Sequence, residues 1–261
     1  MAILGSGGHL CAEKEGKIIE QLIESVQVNI FIVDSSQEYI RAASDVLKKI
    51  SNNIKVKSVC KPFIGIGNLL ADSKLVTKDT FLVTTCLGIT TGNEAFQEKD
   101  VVFLENILSF SGRTLSKQAL VLLDYDGNLD LLERKKAYDN PIMQEFMICQ
   151  LHHFKQANLE GIEESHIKFY HEQKIDREIC GIMTTKPVTI QMISPFDGVK
   201  YKRHVPVGTK FGILISVKRQ AGAFQALLKQ ATANDISVEL MEPMGKKIIL
   251  QPILVSQKDS K

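Results

Sequence analysis

The sequence predicts an α/β fold: a mainly parallel sheet closed by one antiparallel strand, with an α+β domain inserted late in the core. Helix and strand periods alternate through residues 1–130, which favours parallel strands joined by crossover helices. A glycine-rich turn, Leu4-Gly5-Ser6-Gly7-Gly8, follows the first apolar segment, and an acid, Asp34, ends the second. The last two apolar runs are joined by the short connection Glu242-Pro243-Met244-Gly245, which suits an antiparallel hairpin.

The elements follow in order. Four residues precede the glycine loop, so either the first strand is very short or part of the natural protein lies upstream of Met1. Ile18, Ile19, Leu22, Ile23 and Val26 then share one helical face, and Val28-Asn29-Ile30-Phe31-Ile32-Val33 reads as a second strand. Ser35 and Glu38 have capping-box spacing and open a helix whose Ile40, Ala43, Val46, Leu47 and Ile50 face inward. Ile54, Val56 and Ser58 alternate as strand three, Thr80 to Thr85 forms strand four, and a helix near Val101 to Phe110 leads to strand five, Ala119 to Asp124. Past Asp130 the pattern changes, with helical periods over 131–158, then short β-like runs punctuated by Pro187, Pro195 and Gly198. Phe211 to Val217, a helix near Ala221 to Ala231, and the strands Ile236 to Leu240 and Ile248 to Val255 return to sheet. The expected organisation is a core over 1–130, an inserted substrate-binding subdomain over 131–210, and completion of the core sheet by 211–261.

With 44% hydrophobic and 24% charged residues, the 261-residue chain can bury a good core. Its 32 basic and 30 acidic side chains nearly cancel, and clusters such as Glu133-Arg134-Lys135-Lys136 are short, so nothing points to a nucleic-acid partner. No apolar run approaches the roughly 20 residues that span a bilayer, and no secretory leader pattern opens the chain; a soluble, cytoplasmic protein is expected. Cys11, Cys60, Cys86, Cys149 and Cys180 are scattered and odd in number, which favours reduced thiols. Cys149-Gln150-Leu151-His152-His153 lacks a second cluster of ligand spacing, so no metal site is expected.

Three chemistries fit parts of the chain. Gly5-x-Gly7 after a strand, with Asp34 ending the next, suits a nucleoside cofactor of any kind, a nicotinamide dinucleotide included, although the third glycine of the dinucleotide motif is Leu10. Asp124-Tyr125-Asp126-Gly127-Asn128 resembles the first motif of haloacid-dehalogenase-like hydrolases, but the later acidic pair and lysine motif are not evident, and a turn at a strand end accounts for it. As a calcium loop it would put Leu129 where glycine belongs and Lys135 where the chelating glutamate belongs.

The third uses most of the chain. Leu87-Gly88-Ile89-Thr90-Thr91-Gly92-Asn93, Leu122-Leu123-Asp124-Tyr125-Asp126, Ala137-Tyr138-Asp139-Asn140, Tyr170-His171-Glu172, Asp176-Arg177-Glu178-Ile179 and Ile215-Ser216-Val217-Lys218 occur in one order. In that order they resemble the SAM-dependent, histidine-specific methyltransferase family, as in ergothioneine-pathway histidine Nα-methylation. The resemblance implies a class I, Rossmann-like methyltransferase fold and S-adenosyl-L-methionine (SAM) as cofactor. It implies that the loop with Gly5, Ser6 and Gly7 passes beneath the methionyl part of SAM, that Asp34 binds the ribose, that Phe63 packs on the adenine, and that Gly88 lies at the strand-four end of the site. Asn93 and Tyr138 are implied as catalytic and substrate contacts to an amino-acid head group, and Ser216 as a substrate-side hydroxyl.

The departures shape the expected activity. The family's acid before Phe63 is replaced in Lys61-Pro62-Phe63, and the glutamate expected two residues before Ser216 is Leu214, which removes a charged anchor for a basic side chain. Cys149 and Lys155 replace asparagines, Gly8 to Glu15 lengthen the loop ahead of Lys17, and the family's N-terminal substrate-binding segment does not precede Met1. The expectation is a SAM-dependent N-methyltransferase acting on a small-molecule amine or amino acid other than histidine. The alternative is a catalytically degenerate methyltransferase fold serving binding or regulation.

Overall fold

The structure is a computed structural model and describes residues 1–52, 54–62, 66, 69–72, 76–77, 79–88, 97–113, 118–156, 159–193 and 198–258. Strands run in chain order as β1 Ala2–Leu4, β2 Asn29–Asp34, β3 Lys55–Cys60, β4 Leu82–Cys86, β5 Ala119–Asp126, β6 Leu159–Glu160, β7 Ile167–Gln173, β8 Arg177–Thr184, β9 Val188–Ile193, β10 Lys200–Val205, β11 Lys210–Val217, β12 Ile236–Leu240 and β13 Ile248–Gln257. The α-helices are α1 Glu15–Ile23, α2 Gln37–Ile50, α3 Leu69–Asp72, α4 Gln97–Gly112, α5 Leu131–Tyr138, α6 Pro141–Gln156 and α7 Ala221–Gln230. The chain divides into two units, one of residues 1–127 with 219–261 and one of residues 128–218.

The first unit holds a seven-stranded sheet in the order β12-β13-β5-β4-β1-β2-β3. β13 runs antiparallel to both neighbours, β5 and β12, while the pairs from β5 to β3 are parallel. This is the Rossmann-like arrangement of class I methyltransferases, mainly parallel with one reversed strand. Its central strands are apolar on both faces because helices cover both. Along β1 and β2, Ala2, Leu4, Phe31 and Val33 point into one core layer with Leu104, Ile107, Leu108 and Phe224 from α4 and α7. The intervening Ile3, Ile30 and Ile32 point into the other, with Ile19, Ile40, Ala43 and Leu47 from α1 and α2. β3 is an edge strand, and its exposed Lys55 and Lys57 discourage pairing with another chain.

The sequence-based boundaries shift in three places. Ser36, one residue later than expected, caps α2: its Oγ accepts from Tyr39 N at 3.3 Å. The helical stretch beyond residue 131 is two helices, because Asn140 Oδ1 accepts from Met143 N at 3.0 Å and Pro141 starts the next helix at the position where its missing N–H costs nothing. The return to the core sheet comes later than residue 211. Strand β11 pairs antiparallel with β8 from Lys210 opposite Met183 to Val217 opposite Arg177, so it belongs to the inserted unit.

The second unit contains two three-stranded antiparallel sheets, β10-β9-β6 and β11-β8-β7. Met147, Leu151, Ile162, Ile167, Cys180 and Ile182 form its core, with Tyr138 and Phe169 packed against them. Among the described residues no helix is long and apolar enough to cross a membrane.

Candidate functional site

In the first unit the chain crosses back after β3, so that β4 pairs with β1 on the side opposite β2. The carboxyl ends of β1 and β4 therefore flank a topological switch point, where open α/β sheets bind ligands. Gly5 N still donates to Val33 O at 3.0 Å, and the chain then turns through Gly5, Gly7 and Gly8 at φ 73°, 62° and 64°. These left-handed values favour glycine, and without side chains the loop lets a ligand approach its backbone. The lengthened segment folds as a 3-10 turn over Gly8–Ala12 before α1 begins, with Leu10 exposed.

Asp34, at the tip of β2, is 5% exposed. Its Oδ2 accepts from Ser6 N at 2.9 Å and Ser6 Oγ at 3.1 Å, and its Oδ1 accepts from Ser36 N at 2.9 Å. The carboxylate thus ties the glycine loop to the start of α2, and Oδ1 retains a lone pair beyond the one used here. Across the switch point Gly88, at φ 102°, donates its N–H to Asp124 Oδ2 at 2.7 Å, which joins the ends of β4 and β5. Lys14 Nζ donates to Leu87 O at 3.2 Å.

Glu15 lies fully buried beside the loop. Thr85 Oγ1 is 3.5 Å from Oε1, and Oε2 makes no hydrogen bond among the described residues, standing 4.0 Å from Lys14 Nζ. Burial pushes the Glu15 carboxyl above the usual carboxylate range, with Lys14 opposing. Burial also pushes the Cys11 thiol up to about 12, reinforced by Glu15. A carboxyl whose folded-state pKa is raised contributes stability that is complete below its unfolded value and lost as pH rises through the folded one. Glu15→Gln is therefore expected to raise stability by about 1 kcal/mol at pH 8 and to change nothing at pH 4, read from melting curves at the two pH values. A uniform effect at both would show that packing, not charge, governs the site.

In the second unit, strand register puts Gln173 and Ser216 opposite Glu178, and His171 opposite Cys180, so all five share one face of the β11-β8-β7 sheet. Two side chains of α5 reach them. Arg134, 1% exposed, donates from Nε to Glu178 Oε1 at 2.6 Å and from its Nη atoms to the carbonyls of Ile175, Lys174 and Arg177 at 2.9, 2.6 and 3.2 Å. Glu178 Oε2 lies 2.6 Å from His171 Nε2, and Gln173 Nε2 donates to Oε1 at 3.0 Å.

Tyr138 donates its hydroxyl to Ser216 Oγ at 2.9 Å, and the buried Lys218 ammonium donates to both oxygens at 2.8 Å. Lys218 Nζ also lies 4.6 Å from the centroid of the Tyr138 ring, a cation–π distance. Burial pushes the neighbouring Cys180 thiol up to about 12, with Glu178 and Asp139 adding to it.

The structure thus brings Gly5, Ser6, Gly7 and Asp34 together, places Gly88 on Asp124, and joins Tyr138 to Ser216 within the second unit. Asn93 and Phe63 lie outside the described residues. Sequence reading assigned no role to Lys14, Glu15, Arg134 or Lys218. For Lys218 the signal was its position two residues after Ser216; for Lys14 and Glu15 there was none, since Leu87 and Thr85 lie 73 and 70 residues further along the chain.

No protein-family model and no curated protein matches the chain. Among solved structures, similarity extends over 98% of this chain and 82% of the CcbJ methyltransferase of Streptomyces caelestis, at 10% identity and a TM-score of 0.42. The magnesium protoporphyrin IX methyltransferase of Synechocystis, with SAH bound, is similar over 97% of this chain and 73% of that one, at 8% identity and a TM-score of 0.39. The 1,6-didemethyltoxoflavin-N1-methyltransferase of Burkholderia thailandensis, with S-adenosylhomocysteine (SAH) bound, is similar over 98% and 71% of the two chains, at 7% identity and a TM-score of 0.40.

Proposed function

We propose that the chain is a SAM-dependent methyltransferase that methylates the amine of a small molecule or amino acid other than histidine. The observation that carries this reading is the glycine loop at the switch point of a class I sheet, held in shape by an acid at the tip of β2. Gly5, Gly7 and Gly88 put no side chain of their own at the ends of β1 and β4, and Asp34 Oδ1 keeps a lone pair for a ribose hydroxyl. Phe63 is assigned to the adenine and Asn93 to the acceptor.

When bound, SAM supplies a methyl group already activated by its sulfonium, so the protein's part is positioning. Holding a neutral acceptor nitrogen about 3 Å from that carbon, in line and away from water, supplies several kcal/mol of the barrier reduction. In the second unit Tyr138 and Ser216, backed by the Lys218 ammonium, form a polar pair suited to an acceptor's polar head group. Leu214 stands where the resemblance expects a glutamate, which removes that carboxylate as an anchor for a basic side chain and supports an acceptor other than histidine.

The test is calorimetric titration with SAH, followed by transfer of labelled methyl from SAM to a panel of amines and amino acids. Tyr138→Phe is expected to lower kcat/KM for the acceptor about 10- to 100-fold while SAH binds as in the wild type. Absence of SAH binding would sink the reading. The second reading, a methyltransferase fold kept for binding or regulation, is favoured by the near-complete burial of Asp34; SAH binding without transfer to any amine would support it.

A further inference from the structure

Lys14 leads into α1, and its side chain reaches from the glycine loop to the end of β4. Besides donating to Leu87 O, its Nζ stands 3.3 Å from where a β-carbon on Gly88 would lie and 3.5 Å from the same position on Gly7. The surroundings are those of an ammonium site: a strand-end carbonyl, a buried carboxyl group 4.0 Å away, and two glycine backbones that present no side chain. That position lies in the crevice between β1 and β4, which the proposed function gives to the amino-acid end of SAM.

We propose that Lys14 is an internal competitor for the ammonium group of the methyl donor: its side chain fills the primary-ammonium subsite at Leu87 O and must swing out before the amino-acid end of the cofactor can seat. The proposal rests on the reading that the first unit binds SAM. Two cations cannot share one carbonyl at contact distance, because like charges there repel. Lys14 has a way out, since its side chain is 24% exposed. With Lys14 seated, the loop is latched to β4 in the free protein, and apparent affinity falls by the fraction of molecules in which the subsite is open.

The experiment is calorimetry on the full chain with two probes, SAH and 5′-methylthioadenosine, which shares the adenosine and thioether but lacks the amino-acid end. Lys14→Met is expected to bind SAH about tenfold more tightly, the gain from emptying a subsite filled in about nine molecules of ten, with 5′-methylthioadenosine affinity unchanged. Lys14→Arg keeps a tethered cation and is expected to stay near the wild type. Unchanged SAH affinity in Lys14→Met, with 5′-methylthioadenosine still bound, overturns the proposal while leaving the SAM reading intact. Weaker SAH binding also overturns it and makes Lys14 a partner of the cofactor's carboxylate. If neither probe binds the wild type, the SAM reading fails and the proposal with it. Should Lys14→Met not fold, Lys14→Gln removes the same charge.

Discussion

Replacing Arg134 with methionine is expected to destabilise the inserted unit by about 3–5 kcal/mol, the cost of leaving a buried carboxylate without its partner. Arg134 and Glu178 are 1% and 0% exposed, and the guanidinium also satisfies three carbonyls of the β7–β8 turn. Denaturant unfolding followed by far-UV circular dichroism reads the loss. The double variant Arg134→Met with Glu178→Leu is expected to lose less than the sum of the two single changes, because it removes the stranded charge along with its partner. Additive losses would mean that the turn carbonyls, not the ion pair, carry Arg134's contribution. The pair thus supports the face on which Tyr138, Ser216 and Lys218 meet, since Ser216 pairs directly opposite Glu178.

Asp34→Asn is expected to cost about 2–3 kcal/mol of stability and to abolish measurable SAH binding. Three donors converge on the two carboxylate oxygens, and an asparagine amide must turn its NH2 toward at least one of them. A donor facing a donor in a site 5% exposed to water leaves the Ser6 or Ser36 amide unsatisfied. The loop would then lose its tie to α2. Melting curves and SAH titration separate two roles: lost stability with lost binding shows that Asp34 shapes the loop, whereas unchanged stability with lost binding shows that it serves the ribose alone. Wild-type behaviour in both would remove Asp34 from the site.

Much of the first unit was legible because local patterns and tertiary structure agree. Alternation along Ala2-Ile3-Leu4 and Ile30-Phe31-Ile32-Val33 feeds opposite helical layers, and the Glu242 to Gly245 connection folds back as the antiparallel pair β12 and β13. The reversed strand was readable because a short connection leaves no room for a crossover helix. Legibility ended where a residue's role depends on a distant partner. Arg134 sits in a charged run that reads as a solvated face, yet α5 turns it inward toward Glu178, 44 residues away. Likewise, Phe211 to Val217 has strand character in either sheet, and only its pairing with β8 places it in the inserted unit.

The sequence by itself determined the alternating elements, the glycine loop with its following acid, and the ordered motifs that bring Tyr138 and Ser216 under suspicion. Periodicity and turn chemistry are properties of neighbouring residues, so they survive reading along the chain. Only the tertiary structure decided what those groups touch: Ser6 on Asp34 across 28 residues, Lys14 on Leu87 across 73, and Tyr138 on Ser216 across 78. Hydrogen bonds and ion pairs act over a few ångströms in space, whatever the separation in sequence. The sheet that brings those segments together therefore ties Asp34 to the glycine loop and Lys14 to the end of β4.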